Sequence, residues 1–528
     1  MTRSGRVSFP PDPYLWIQAL LALGAIVVAY LLTISLSLAC FALPLWMFLG
    51  LVTSDISFVG WPGFLRTIGS SLLGCLTVGG LATSAISLWS LSPRGARFQP
   101  PGPRLLPADQ PRLFSEVHGI CEMFGIRLPD EVYLCADMTI GVVERGGLLG
   151  FGRRQILVVG LPALQVLTTG QFRAMVAAGL AHFYLGDTVL NPWINSLMSA
   201  LARTLQPPKP ARPAGGLSAF VMAYGLPIHL ALRRSISVYW TVLVKICQSL
   251  TLRLERRADA LACYIAGTQA FVSGLRSSYR YWPAAKLYWN IEVAPIVNAG
   301  FLPPLAEGFD LFVRTPRVDQ SSAEFLDSQM NRTARTPTDP LPLLRDRIAV
   351  APTHLVESID ADSPATGLLT NVEDTERRLI VHLFPGKPVD SLRGTAWNEV
   401  GRTVYSPAWR ALVRENATVL AGLNPQSLPE VLANLSSFSA RAPNPPGMLL
   451  SPLQRIAHLR TLLRSALSLR LMDHGWEFTT QAGETVFAKD GIHLNLSEDL
   501  AALESGKMSR ETWEQRWRQL GLADIPLV

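Results

Sequence analysis

The residues best placed to do chemistry in this chain are His182, Glu255 and Asp259. Zinc hydrolysis on a helix needs two histidines at i and i+4, because that spacing puts both imidazoles on one face. A glutamate at i+1 serves as general base for the metal-bound water, and a third ligand from another helix leaves one position open. The stretch Ala178-Gly179-Leu180-Ala181-His182-Phe183-Tyr184-Leu185-Gly186-Asp187 has this frame with half of its chemistry removed. His182 stands at the second ligand position, Ala178 at the first, and Gly179 where the base belongs. Further on, Glu255-Arg256-Arg257-Ala258-Asp259 can supply the third ligand through Glu255, with Asp259 one turn later on the same face.

Ala178 has no donor atom and Gly179 has no side chain to take a proton. General acid–base catalysis alone is worth about 10²–10⁴-fold, and a missing ligand also weakens zinc binding. The catalytic positions are therefore vestigial, and His182 and Glu255 remain as residual ligand positions. No cofactor is expected unless another group completes a zinc site. Asp259, His229 or His354 would have to do so. His182 and Asp187 lie about 140° apart around a helix and do not converge. Glycine inside a helix costs about 1 kcal/mol relative to alanine, so Gly179 predicts close packing by another element.

These residues need elements to position them. Thr168-Thr169-Gly170-Gln171 fits a capping box that opens the helix carrying Ala178 and His182. Upstream, Pro111–Gly125 reads as a helix with Leu113, Val117, Ile120 and Cys121 on one face. Glu131–Cys135 and Gln155–Val159 read as strands around a Gly-rich turn at Gly146–Gly152. A long helix from about Ser235 to Ala266, stopped by Gly267, carries Glu255 and Asp259. Pro207–Pro213 is too proline-rich for a helix, and Arg314–Pro342 reads as a loose connection. Trp476–Phe478 and Thr485–Ala488 predict a hairpin around Ala482-Gly483-Glu484, with a strand at Ile492–Leu494. A last helix capped by Ser509 places Trp513, Trp517 and Leu520 on one stripe and ends at Gly521.

Of the 528 residues only 16% are charged and the net charge is +7, mostly from arginine. Ordinary soluble domains have about 25% charged residues. Pro13–Ser54 and Thr67–Pro93 contain no charged residue, and a spanning helix needs about 20 apolar residues. The two runs predict a transmembrane hairpin in segment 1–98. Pro44 is expected to kink or end the first helix. Arg3 and Arg6 before the first run, and Arg94, Arg97 and Arg104 after the second, put both flanks and the bulk of the chain in the cytoplasm by the positive-inside rule. The expected location is the inner (cell) membrane. Leu217–Leu232 and Ile236–Cys247 are each short for a span and read as a buried or membrane-dipping pair within 217–247. No aromatic-interleaved basic motif supports nucleic-acid binding. None of the six cysteines forms a CxxC pair, which fits reduced thiols.

Gln171–Asp187 together with Glu255–Asp259 resembles the membrane zinc metallopeptidases of the HtpX and CAAX-prenyl-protease type, a gluzincin family in which a transmembrane hairpin precedes the peptidase domain. The resemblance runs from about Pro107 to Ala351. Thr338-Asp339-Pro340 followed by Arg345-Asp346-Arg347-Ile348 is similar to the family's Thr-His-Pro…Arg-Ile segment, with Asp339 in place of the histidine. The resemblance implies an α+β, mostly helical fold. A gluzincin-like domain at 107–351 would follow the hairpin, and a helical C-terminal domain with a small β-element would occupy 376–528. It assigns Asp259 to orient the first histidine, whose place Ala178 holds. A membrane-anchored pseudo-peptidase that binds a protein or peptide partner follows from the lost ligands. An active metalloendopeptidase with an altered metal site is the alternative. A transporter role would call for charges inside the two long runs, and they hold none.

Overall fold

The computed structural model describes residues 13–53, 63–92, 98–145, 154–185, 191–205, 217–333, 342–352, 363–387, 392–441 and 450–528. The Gly-rich turn at Gly146–Gly152, Asp187, the Thr338-Asp339-Pro340 segment and His354 lie outside these residues. The described chain is mostly helical with small sheets.

Helices α1 (Pro13–Val52) and α2 (Gly63–Leu91) are the two uncharged runs. Pro44 does not end α1. The two helices pack with their backbones in contact. A Cβ built on Gly80 would fall 2.2 Å from the Cys40 carbonyl oxygen. The Ser84 hydroxyl donates to the Ser37 carbonyl, and the Tyr30 hydroxyl donates to the Leu91 carbonyl at 2.5 Å. That register leaves the start of α1 extending past the end of α2. Leu15, Ala22, Ile26 and Ala29 from this overhang share a buried cluster with Ile194 and Leu201 and with Leu243, Leu250 and Leu254.

Next come β1 (Arg104–Leu105), α3 (Pro111–Phe124), β2 (Glu131–Cys135), β3 (Ile140–Arg145) and β4 (Arg154–Gly160). The sheet order is β1-β2-β4-β3, with β2 and β4 parallel and β3 antiparallel to β4. Strand β3 was not foreseen. It is short, contains Gly141 and ends on Glu144 and Arg145, so its alternation is weak. Burial of α3 falls on Leu113, Val117, Ile120, Cys121 and Phe124, the face that periodicity marks.

Then follow α4 (Leu161–Val166), α5 (Thr169–Leu185), α6 (Asn191–Leu205), α7 (Leu217–Ala266) and α8 (Thr268–Tyr288). The cap of α5 forms as its residues require. The Gln171 backbone N–H donates to Thr168 Oγ1, and the Thr168 N–H donates to Gln171 Oε1, both at 3.2 Å. The expected pair of short segments within 217–247 is replaced by one continuous 50-residue helix. Arg233-Arg234 does not interrupt it, since both side chains are exposed on its surface. Among the described residues, three helical stretches are long and apolar enough to cross a membrane: Tyr14–Gly50, Thr67–Leu91 and Ile228–Ala266. They support membrane association.

After α9 (Ala294–Asn298), α10 (Leu305–Arg314) and α11 (Pro316–Asn331), α12 (Leu344–Val350) returns to α7. The expectation of a loose connection through 314–342 fails at α11. Pro316 occupies the first turn of that helix, where its missing N–H costs nothing.

One core runs from Leu105 past position 351, taking in Leu379, Ile380, Trp397, Val400 and Val404. A second holds Trp409 to Leu527. The first core therefore extends well beyond the boundary expected at 351, because helix Val372–Leu383 packs with the sheet domain. Its Glu376 carboxylate accepts the Leu305 and Ala306 backbone N–H groups at 2.9 and 2.7 Å. The predicted hairpin, Glu477–Gln481 with Glu484–Lys489, forms, as does Ile492–Leu494. The tip residue Ala482 is buried in the first core.

Glu292 links the two cores. Its buried carboxylate accepts the Tyr405 hydroxyl at 2.9 Å and a backbone hydrogen bond from Gly483. Burial pushes its pKa up. A raised carboxylate pKa contributes stability that is complete below the unfolded value, about 4.3, and is lost as pH rises through the folded value. Thermal melting in neutral detergent at pH 5 and pH 7 should show part of the native chain's gain at low pH missing in Glu292→Gln. Identical pH dependence in the two proteins would refute the assignment.

Candidate functional site

Helix α5 brings His182 to face Glu255 on α7. His182 Nε2 lies 3.6 Å from Glu255 Oε1, too long for a hydrogen bond. Both side chains are largely buried, at 21% and 13% exposure. Ala178, one turn before His182, is in the core. Gly179 meets β3. A Cβ built there would contact Val142 Cγ1 at 3.4 Å, with the Gly141 Cα at 3.9 Å. The unforeseen strand thus lies against Gly179 at ordinary van der Waals distance, which would still admit a Cβ there.

The dominant electrostatic feature is Arg347, from α12. Its Nη2 lies 2.5 Å from Asp259 Oδ1 and its Nε donates to Asp259 Oδ2 at 2.9 Å, a two-pronged pair. The same Nη2 lies 3.3 Å from Glu255 Oε2. Arg347 is only 7% exposed and Asp259 4%. The two carboxylates hold the guanidinium pKa above its ordinary value against the opposing effect of burial. Tyr279 of α8 also faces Arg347, and burial raises its phenol pKa.

Arg347 was legible only as part of the Arg345–Ile348 segment and not as a site residue. It lies far from Asp259 in the chain, and no local spacing announces such a pair. The one sequence signal was a pair of acids one turn apart on a helix whose other charges are all basic, and such a pair must find a cation if buried.

Among the described residues, the donors around His182 fall short of the set a hydrolytic zinc ion takes. His182 Nε2 and Glu255 Oε1 are two ligands where such a site takes three from the protein. Asp259 has both carboxylate oxygens engaged by Arg347. His229 precedes Glu255 on α7 by 26 positions (255 − 229), about 39 Å at 1.5 Å per residue. Among the described residues, no group of three or more His, Cys, Asp or Glu side chains could hold a metal.

The six cysteines are free. Burial pushes the Cys121 and Cys135 thiols up to about 11, so neither is a nucleophile at neutral pH. No family model, characterised protein or solved structure matches this chain.

Proposed function

We propose that this protein is a membrane-anchored, metallopeptidase-like protein of the HtpX and CAAX-prenyl-protease type that has given up zinc hydrolysis and acts by binding a protein or peptide partner. Its bulk lies on the cytoplasmic face of the cell membrane. One observation supports the reading above others. Where a gluzincin needs two histidines, a glutamate base and a ligating glutamate, this chain has Ala178, His182, Gly179 and a Glu255 that is ion-paired to an internal guanidinium. Arg347 supplies one internal cation that pairs with Asp259 and also reaches Glu255, where a metallopeptidase would place its ion. Burial of Ala178, and Val142 packed against Gly179, mean that the vacated volume is filled. Three apolar helices supply the anchor.

The test is restoration. The variant Ala178→His/Gly179→Glu/Val142→Ala supplies the missing ligand and base, and trims the side chain that a residue at 179 would meet. After dialysis, elemental analysis should find about one zinc per chain in the variant, as three-ligand sites require, and none in the native protein. Native protein that retains stoichiometric zinc, loses it on His182→Ala and cleaves casein in a chelator-sensitive way would overturn the reading in favour of an active peptidase with an altered site.

A further inference from the structure

We propose that one face of α8 is a binding site for a singly charged organic oxyanion, a carboxylate or a phosphodiester. A cavity of about 400 Å³ there is lined by Gln269, Ser273, Arg276, Ser277 and Arg280, with Leu326 of α11 contributing apolar surface. The five α8 positions follow spacings of 4, 3, 1 and 3, which is a single helical stripe.

The charge count selects the ligand. Arg280 donates through Nη2 to Asp319 Oδ1 at 2.6 Å, so one cation is already matched by one acid. That pair fixes the guanidinium in place, with its Cζ 5.3 Å from the Tyr281 ring centre. Its Nε is buried with no hydrogen-bond partner among the described residues. Arg276, one turn earlier, is exposed and makes no ion pair among the described residues. No acid lines the cavity. One positive charge is therefore left over, and it faces a cavity.

The hydrogen-bonding groups agree with an acceptor-rich ligand. The Ser273 hydroxyl is already engaged, donating to the Gln269 carbonyl at 2.8 Å and accepting from Gln171 Nε2 at 3.1 Å. The side chains of Gln269 and Ser277 make no hydrogen bonds among the described residues and remain available as donors. Arginine forks suit two-oxygen anions. The space exceeds that of a bare oxyanion and includes Val272 and Leu326, so the anion carries an organic body. The site shares no residue with the His182 cluster and stands whether or not the protein is a pseudo-peptidase.

The experiment is isothermal titration of the full chain in neutral detergent at low ionic strength. The probes are N-acetyl-leucine (a carboxylate), diethyl phosphate (a phosphodiester) and N-acetyl-leucinamide (uncharged). One or both anions should bind at one per chain while the amide does not, and the anion that binds identifies the source of the oxyanion. Arg276→Gln should weaken binding by about 10–100-fold, the range for a charge-assisted contact, and Arg276→Lys should recover part of it. Because Arg276 is exposed and makes no ion pair among the described residues, the melting temperature should not move, so loss of binding is not loss of fold. His182→Ala should bind as the native chain does. Absence of binding by both anions, equal binding of the amide, or unchanged affinity in Arg276→Gln would each overturn the proposal.

Discussion

Replacing Arg347 with methionine should destabilise the protein by about 3–5 kcal/mol, the cost of leaving buried charge without its partner. Arg347 touches both acids on α7, and its removal leaves Glu255 and Asp259 one turn apart, both shielded from water. Like charges at that spacing repel. Methionine keeps the stem volume, so the loss reports the guanidinium and not a cavity. Arg347→Lys should recover only a fraction, because an ammonium cannot match both Asp259 oxygens at once. Combining Arg347→Met with Asp259→Asn and Glu255→Gln should restore much of the loss, since the charges that needed matching are gone. Thermal melting of the purified chain in detergent checks all three. A methionine variant that melts with the native protein would show that the buried pair contributes nothing.

The second large effect is expected in the membrane hairpin. Gly80→Leu should separate α1 from α2 and cost about 1–3 kcal/mol or more, the range for forced overpacking. Its first added carbon would lie 2.2 Å from the Cys40 carbonyl oxygen and 3.3 Å from the Phe41 Cα. These are backbone atoms with no rotamer to change. Widening the helix pair also breaks the bond from the Ser84 hydroxyl to the Ser37 carbonyl. Interhelical contacts of that kind average about 0.6 kcal/mol in membranes. Gly69→Leu is the matched control, because a Cβ there meets nothing within 4 Å. The readout is melting temperature together with the amount of folded protein recovered from membranes. Equal behaviour of the two leucine variants would mean that the close approach at Gly80 does not hold the hairpin.

The comparison between sequence and structure turns on the range of each interaction. The α5 cap was legible because Thr168 and Gln171 are three residues apart and satisfy each other locally. His182 and Glu255, which the structure brings face to face, were expected together from the resemblance of their two segments to a metallopeptidase motif, since no helical spacing relates residues on separate helices. The C-terminal hairpin followed from Gly483, which adopts positive φ at the turn. By contrast, the long helix α7 was broken into pieces by its charged residues and proline, although exposed arginines are compatible with a continuous helix. Helix α11 was misjudged because proline at a first turn starts helices as readily as it ends them.

By itself the sequence determined that two apolar runs are long enough to cross a membrane and that Ala178 and Gly179 offer neither a donor atom nor a base one turn before His182, since both follow from residue identity and short-range geometry. Only the tertiary structure decided what occupies the space and what balances the charge. Val142 comes from a strand too weakly patterned to foresee, and Arg347 comes from a helix far along the chain. Contacts between distant segments depend on the whole packing arrangement, and no local spacing encodes them.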